Sequence, residues 1–319
     1  MRRSPAPFSP LKLAVLSCLS LPLASCAGAV ESSRTEDAAR RAVPVAICLK
    51  PLPRHGKQGV SQSLTPDDYW SIVLPSYDHD GRAVDRSAPD CAGRPILQSP
   101  DLLQAEGPRT GPIRVTEADA VVTPGADNLK VVWLRTHKLS DGTSAGPIAL
   151  LRPKDDYAEV YGIGLYRGRP DKARFGLERM GSDFVVSATS DGCTGAATTA
   201  SCETTLTALL LTGGQLVPAA TLPLDRVEHA AGANMGVAGT VQYKLTATPV
   251  FEDKGIRVVE QVVVRDAAQQ ELRKSEQERW FVRKQRAKLV ASADSLWSQV
   301  AQLSPSPAAP PPPPPPKSR

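Results

Sequence analysis

The chain from about residue 114 onward consists of short apolar runs separated by turn-forming residues. The runs are rich in Val, Ile, Leu, Thr and Tyr, and clusters of Gly, Pro, Asp and Ser lie between them. β-Branched and aromatic residues favour strands, so this spacing predicts a sheet. The predicted strands are 129–136, 147–152, 158–166, 174–180, 184–189, 204–211, 241–248 and 256–264.

Residues 240–247 have the most regular alternation. One face carries Val241, Tyr243, Leu245 and Ala247, and the other carries Gln242, Lys244 and Thr246. A sheet with one buried and one wet face is typical of antiparallel pairing. No repeat of fixed period is visible, which disfavours a propeller. We therefore predict a mainly β fold, an antiparallel sandwich or open barrel with one short N-terminal helix and one C-terminal helix.

The two predicted helices have different signals. Thr65 is a good N-cap before Pro66, with two aspartates in the first turn, and Pro75 limits the helix to a short length. From Asp294 onward the apolar residues have helical spacing. They are Leu296, Trp297 and Val300.

Segment 271–290 fits either a helix or two strands, because it lacks Gly and Pro. Its apolar runs 279–282 and 289–290, with Lys284-Gln285-Arg286 between them, favour two strands joined by a basic turn. The segment is also the densest basic stretch of the chain. Such a stretch is typical of a solvated strand face, and the alternative is contact with an anionic lipid partner. Its basic residues are Arg273, Lys274, Arg279, Arg283, Lys284, Arg286 and Lys288.

The N-terminus predicts export. Arg2 and Arg3 precede an apolar stretch, 11–23, which is shorter than the roughly 20 residues of a membrane span. We interpret residues 1–25 as a signal peptide that is removed.

The residues Leu23-Ala24-Ser25-Cys26 resemble the lipobox of bacterial lipoproteins. The resemblance implies that Cys26 is acylated and holds the mature chain at a lipid bilayer in the cell envelope. Ala27, rather than Asp, after the cysteine favours the outer membrane over the inner membrane by the same resemblance. The alternative is ordinary cleavage that leaves Cys26 a thiol. More than one fatty chain is needed for stable anchoring.

These signals divide the chain into four parts. Residues 26–45 are small and charged and read as a flexible tether, and 46–303 form the β-rich globular domain. Within that domain, 46–112 is a candidate disulfide-closed subregion. Residues 304–319 form a proline-rich disordered tail, with seven consecutive prolines that favour a polyproline II rod.

The charge balance excludes a nucleic-acid partner. The formal net charge is +5, but without Arg2, Arg3 and Lys12 of the signal peptide 35 basic and 33 acidic residues remain. A chain this close to neutral, with no basic run free of acids, lacks a surface that could track phosphates.

Four cysteines remain in the oxidising compartment once Cys18 and Cys26 are set aside, and an even number there predicts disulfides. Three connectivities exist. We favour Cys193–Cys202, which brackets a short small-residue loop between two strand-like runs, and Cys48–Cys91 then follows. Closing the longer loop contributes on the order of 3–4 kcal/mol in the chain-entropy model.

Two stretches of the sequence match motifs of catalytic or cofactor-binding sites. Residues 142–146 match G-x-S-x-G, which would make Ser144 a nucleophile, but a strand-like run follows and a hairpin turn, Asp141-Gly142, precedes it. Gly162-Ile163-Gly164 lacks the helix of a dinucleotide site, and close strand packing explains it better.

An incomplete calcium loop is the other candidate site. Asp78, Asp80 and Asp85 have alternating oxygen ligands, but the loop lacks its later ligands and contains Arg82. A solvated turn fits better. The four histidines share no metal-ligand spacing.

The function predicted from sequence is therefore a non-enzymatic, membrane-anchored envelope module that binds an envelope protein or an anionic lipid. The alternative is an envelope serine hydrolase that uses Ser144. A calcium-stabilised adhesion or sensor module is the third hypothesis. No catalytic, cofactor-binding or metal-binding residue is assigned.

Acylation of Cys26 is directly testable. We expect Cys26→Ser to abolish incorporation of radiolabelled palmitate and to release the protein from the membrane fraction, since no other cysteine completes the lipobox. Cys18→Ser is the matched control and should leave both unchanged. Mass spectrometry that finds an unacylated N-terminus in the wild type would contradict the prediction.

Overall fold

The computed structural model describes residues 44–52, 64–100, 102, 111–194, 201–232, 239–285 and 287–301. All of them belong to one unit of the chain, Val43–Arg319. The predicted signal peptide, Cys26 and the proline-rich tail lie outside the described residues. Within these ranges, none of the helices has the length and apolar composition to cross a membrane.

Strands dominate the described residues, with one helix near each end. The helices are α1 (Pro66–Val73) and α2 (Leu296–Ala301). The strands are β1 (Cys48–Pro51), β2 (Ala83–Val84), β3 (Ile113–Arg114), β4 (Ala120–Pro124), β5 (Lys130–Leu134), β6 (His137–Lys138), β7 (Ser144–Pro153), β8 (Tyr157–Gly168), β9 (Arg174–Met180), β10 (Asp183–Thr194), β11 (Ser201–Thr212), β12 (Gln215–Ala231), β13 (Thr240–Glu252), β14 (Gly255–Arg265), β15 (Glu271–Gln285) and β16 (Lys288–Ala291).

In the part of the chain that the structure describes, two groups of strands are joined by one short pairing. The N-terminal half-sheet contains β1 and β4 to β8, and the C-terminal half-sheet contains β9 to β16 in sequence order. Within each half-sheet the neighbouring strands pair antiparallel. The junction is a parallel pair of β8 with β12, limited to Ile163 opposite Gln215 and Gly164 opposite Leu216. The predicted mainly β, antiparallel fold is confirmed.

The half-sheets pack face to face through an aromatic core. Trp133 of β5, Tyr166 of β8 and Phe175 of β9 form a triangle of edge-to-face rings, with centroids 5.2, 5.7 and 5.2 Å apart. Such pairs add about 0.5–1.5 kcal/mol each beyond their buried area. Further apolar side chains of both half-sheets complete this cluster. This packing fits the predicted sandwich or open barrel.

Helix α1 covers the other face of the N-terminal half-sheet. Thr65 Oγ1 accepts from Asp68 N at 3.4 Å, and Asp68 Oδ2 accepts from Thr65 N at 2.7 Å, which forms the capping box that satisfies two backbone donors. Trp70 is fully buried against this face. The predicted N-terminal helix is therefore confirmed.

Both favoured disulfides are present. Cys48–Cys91 ties β1 to the loop after α1, and Cys193–Cys202 joins β10 to β11 at directly opposite positions. Residues 195–200 between the second pair lie outside the described part of the chain.

Strand β12 was missed by the sequence analysis. It runs from Gln215 to Ala231 and contains Pro218 and Pro223, which cannot donate to a ladder. Its pairing with β11 is irregular near both prolines, with register shifts between Thr204 and Thr205 and between Ala208 and Leu209. β-Bulges accommodate prolines that would otherwise interrupt the pairing of a strand.

Segment 271–290 forms β15 and β16, which confirms the two predicted strands. Lys284 and Gln285 of the predicted basic turn belong to β15, and Arg286 lies outside the described residues. The C-terminal helix is also confirmed as α2. Its first residue is held by Glu260 of β14, whose Oε2 accepts from Leu296 N at 2.7 Å.

Glu260 is the centre of a buried ionic network. It is fully buried, and Arg279 of β15 donates from Nε to Glu260 Oε1 at 2.8 Å. Ser295 Oγ lies 3.1 Å from each of its oxygens. Because every partner comes from a different element, this carboxylate fixes α2 against β14 and β15.

We expect Glu260→Gln to lower the free energy of unfolding by about 3–5 kcal/mol, since the buried Arg279 guanidinium would lose its counter-charge. Urea unfolding followed by tryptophan fluorescence measures the change, and Trp297 of α2 makes it sensitive to undocking. Glu276→Gln, at an exposed position of β15, is the control and should stay within about 0.5 kcal/mol. Equal stabilities of both variants would contradict the assignment.

Candidate binding cleft

A cleft of about 910 Å³ opens where β8 and β12 part. Beyond Leu216, strand β12 no longer pairs with β8, and from Val217 to Leu224 its only neighbour in the described residues is β11. The lining is mainly apolar with a polar rim. Its side chains include Ile96, Leu102, Leu139, Leu165, Leu216 and Pro218, with Asp90, Arg94, Arg167 and Gln215 among the polar residues.

The junction itself explains one of the glycines that the sequence analysis noted. A Cβ at Gly164 would lie 1.9 Å from the carbonyl oxygen of Leu216, so a side chain cannot fit there. The proposal that 162–164 is a closely packed strand, rather than a dinucleotide loop, is therefore confirmed. This contact brings the two half-sheets together at the base of the cleft.

Strand β8 has a free backbone edge in the cleft. Ile163 donates its N–H to the carbonyl of Gly214 at 3.3 Å, so Leu165 and Arg167 direct their N–H and C=O groups to the same side. The pairing of Gly164 with Leu216 uses the N–H of Leu165, which donates to the Leu216 carbonyl, but Pro218 has no N–H for the carbonyl of Leu165. No strand in the described residues pairs with Arg167 on that side.

The free edge is short because its far end is covered. Arg169 N donates to Ser190 Oγ of β10 at 3.0 Å. Tyr166, which points into the aromatic core, is buried, and this burial raises its pKa to about 12. It therefore stays neutral throughout the physiological range. The unpaired backbone extends from the carbonyl of Leu165 to Arg167.

Arg94 lies on the rim of the cleft with part of its hydrogen-bonding capacity unused. Its Nε donates to Asp90 Oδ2 at 2.7 Å and its Nη1 to the carbonyl of Gly214 at 3.1 Å. Its Nη2 is buried and has no partner among the described residues. Both carboxylate oxygens of Asp90 therefore accept hydrogen bonds, because its Oδ1 accepts from the backbone N–H groups of Ala92 and of Arg94 at 2.9 Å each.

Arg167 lies on the same rim and is held by the β6–β7 hairpin. Its Nη2 donates to Asp141 Oδ2 at 2.6 Å, and its Nε donates to Thr143 Oγ1 at 2.9 Å. Hydrogen bonds from the Thr143 hydroxyl and backbone, and then the Arg167 guanidinium, lower the pKa of Asp141 to about 2. The hairpin therefore presents a fixed cation to the cleft.

Ser144 does not have the surroundings of a nucleophile elbow. It is the first residue of β7, buried between β6 and β8, and a strand rather than a helix follows it. No hydrogen bond in the described residues joins it to a histidine or a carboxylate. The predicted turn before it is confirmed, because Gly142 has a φ of +79° and its N–H donates to the Leu139 carbonyl at 3.1 Å.

The aspartates of the incomplete calcium loop form separate turns. Asp78 Oδ1 accepts from Asp80 N at 3.1 Å, whereas Asp85 Oδ1 accepts from both N and Oγ of Ser87, at 2.7 and 2.6 Å. In the ranges that the structure describes, no three His, Cys, Asp or Glu side chains are grouped so that they could hold a metal ion.

The basic stretch is divided by its own ion pairs. Arg279 is buried on Glu260, and Arg283 lies 2.6 Å from Asp183. Arg273, Lys274, Lys284 and Lys288 are exposed, but acidic residues of β15 lie between the first two and the others. Arg286 lies outside the described residues. The arrangement is that of a mixed, solvated strand face.

Comparison of the chain with models of protein families, with curated proteins and with solved structures found no match in any of the three. The cleft is thus assigned from its geometry. The cleft residues are common apolar and polar types that are spread along the chain from Asp90 to Pro218. In the sequence, only the glycine motif that contains Gly164 indicated this region.

The hydrogen bonds that hold Arg167 also predict the pKa of the Asp141 carboxyl and which of two substitutions raises it more. NMR should find the Asp141 carboxyl titrating at about pH 2, so the hydrogen bonds of this turn stabilise the fold above the ordinary pKa of 3.8 and are lost as the pH falls through about 2. Thr143→Val should raise this pKa more than Arg167→Gln does, because the hydroxyl bond is the larger cause. A wild-type midpoint at 3.8 would contradict the geometry.

Proposed function

We propose that the protein is a lipid-anchored module of the cell envelope that binds a partner in the cleft between β8 and β12 and performs no chemistry itself. The single observation that carries this proposal is the cleft, an apolar cavity with an arginine rim and a free strand edge. Sites that bind ligands combine an apolar concave surface with a few placed polar groups in this way.

The location of the protein is part of the proposal. Acylation of Cys26 would place the domain at a membrane, on a tether that spans residues 26–45. The outer membrane is favoured by Ala27. Cleft and anchor together suit a protein that holds a partner near a bilayer surface.

The serine hydrolase alternative has no specific observation in its favour. Ser144 is the buried first residue of β7 rather than part of an exposed turn, and among the described residues neither a base nor an acid is hydrogen-bonded to it. Catalysis by a serine needs a general base within hydrogen-bond reach.

Site-specific photocrosslinking in living cells tests the proposal. A photoreactive amino acid at Gln215, an exposed residue of the cleft wall, should give a discrete crosslinked product in the membrane fraction. The same amino acid at Val282, which is 40% exposed on β15 and outside the cleft, is the control and should give none.

Two variants assign the product to the cleft. Ile96→Asp should remove the Gln215 product, because a carboxylate would replace an apolar lining side chain. Ser144→Ala should leave the product unchanged and should alter no hydrolysis of chromogenic esters above background. Equal crosslinking from Gln215 and Val282, or an esterase activity lost in Ser144→Ala, would contradict the proposed function.

A further inference from the structure

We infer that the end of the N-terminal half-sheet that carries Leu49, Pro51 and Tyr157 docks on the bilayer that holds the anchor, with these side chains inserted at the level of the lipid headgroups. These three residues form the docking face. The inference rests on the proposed function, because it needs the acylated Cys26, and it names the surface of the domain that faces the membrane.

The register of β1 and β8 places the three side chains of the docking face on one side of the sheet. Leu49 and Pro51 are alternate residues of β1, and Tyr157 of β8 lies directly opposite Pro51. Alternate residues of a strand, and directly opposite residues of neighbouring strands, point to the same face. Cys48 points to the other face, where its disulfide with Cys91 packs in the cluster that contains α1. The docking face is therefore not the face that α1 covers.

The docking face is exposed and mainly apolar. Leu49 is 61% exposed and Tyr157 is 38% exposed, and Val45, just before β1, is 88% exposed. Within the described ranges β8 is the strand that pairs with β1, and the other edge of β1 is unpaired. Grouped apolar side chains at a surface mark contact with a partner or a membrane, and tyrosine is enriched at the headgroup level of membranes because its ring is amphipathic.

The predicted anchor joins the domain at this end. The described chain begins at Pro44, and β1 is its first strand. A tether from Cys26 to Cys48 reaches at most about 75 Å when fully extended, so the bilayer is always within reach of the docking face. A flexible linker of this kind holds two linked sites at an effective concentration of roughly millimolar, at which a few apolar contacts suffice for docking.

The charges around the docking face favour an interface that is not selected by lipid charge. Glu159 lies on this face, but its carboxylate accepts from the Tyr161 hydroxyl and lies 3.9 Å from Lys154 Nζ. Asp155 and Asp156 are exposed between β7 and β8. Because acidic side chains offset the nearby lysine, this end has no surplus of cations that would select anionic headgroups.

Among the described residues, two further large apolar side chains are exposed, Val250 and Val282. Val250 lies directly opposite Arg257, which forms ion pairs with Glu252 and Glu278. Charged side chains on the same face oppose insertion into lipid. Val250 and Val282 are therefore matched controls with similar exposure in a charged setting.

Docking at this face would hold the cleft away from the bilayer. Tyr157 is the first residue of β8, whereas Leu165 of the cleft lies toward its other end. At roughly 3.3 Å per residue, the two positions are about 26 Å apart along the strand. The docked domain would thus keep its cleft open to a partner above the membrane surface.

Fluorescence quenching on vesicles tests the inference. The full-length lipidated protein, with an environment-sensitive fluorescent amino acid in place of Pro51, is reconstituted into phosphatidylcholine vesicles that contain a nitroxide-labelled lipid. We expect the lipid to quench this fluorophore, whereas the same fluorophore in place of Val250 should stay in water and unquenched. Leu49→Asp should lower the docking equilibrium constant, measured from the quenched fraction, at least about tenfold, because burial of a leucine side chain is lost.

Three controls accompany this measurement. Val282→Asp is the matched variant and should dock within about twofold of the wild type. Circular dichroism checks the fold of Leu49→Asp, and Tyr157→Asp replaces that variant under the same criterion if it does not fold. Addition of phosphatidylglycerol to the vesicles should change the docking equilibrium constant by less than about twofold, because the face has no surplus of cations.

The outcomes separate this inference from the proposed function. Equal quenching in place of Pro51 and Val250, a folded Leu49→Asp variant that docks like the wild type, or docking on anionic vesicles alone would overturn the inference. Crosslinking of Leu49 to a second copy of the chain, without quenching, would assign the face to a dimer and would also overturn it. If the Gln215 product persists in any of these cases, the proposed function stands. An unacylated Cys26 together with loss of the Gln215 product would overturn both.

Discussion

The structure depends on the two half-sheets sharing one aromatic core while, in the described residues, their strands pair at two positions alone. Packing of Trp133, Tyr166 and Phe175 holds the faces together, and the contact of Gly164 with Leu216 fixes where the edges meet. Beyond that contact, Pro218 of β12 has no N–H for the Leu165 carbonyl, and in the described residues no strand pairs with Arg167 on that side. The cleft is thus a direct consequence of how the sheets are joined.

An exposed strand edge is a liability in most proteins, because it can pair with any extended chain. Here the open length is limited to a few residues by Gly214 and by Ser190. Arg94 and Arg167 flank it, and a charged rim disfavours pairing with purely apolar segments. These features restrict what can bind at the edge without closing it.

Much of the fold could be predicted from sequence, and the reasons are local. Alternation along 240–247 is a property of neighbouring residues, and so are the Thr65 cap and the two-strand pattern of 271–290. Strand β12 could not be predicted, because Pro218 and Pro223 are tolerated only through bulges in its pairing with β11. The Glu260 network could not be predicted either, because its members are brought together by the register of β14 and β15 and by the position of α2.

The site was harder to predict than the fold for the same physical reason. Cys48, Cys91, Cys193 and Cys202 could be paired by loop length and compartment, but the cleft residues come from distant segments and carry no motif. Ser144, in contrast, matched a motif that its position inside β7 does not support. Acylation of Cys26 stays a prediction, since that residue lies outside the described part of the chain.

Amide hydrogen exchange, resolved by residue with NMR, tests the open edge most directly. In the free protein the amide of Arg167 should exchange much faster than that of Leu165, which donates to Leu216, and those of Gly164 and Tyr166, which face β7. Binding of a partner in the cleft should protect the Arg167 amide. Slow exchange of the Arg167 amide in the free protein would show that the edge is already paired, and would contradict the account.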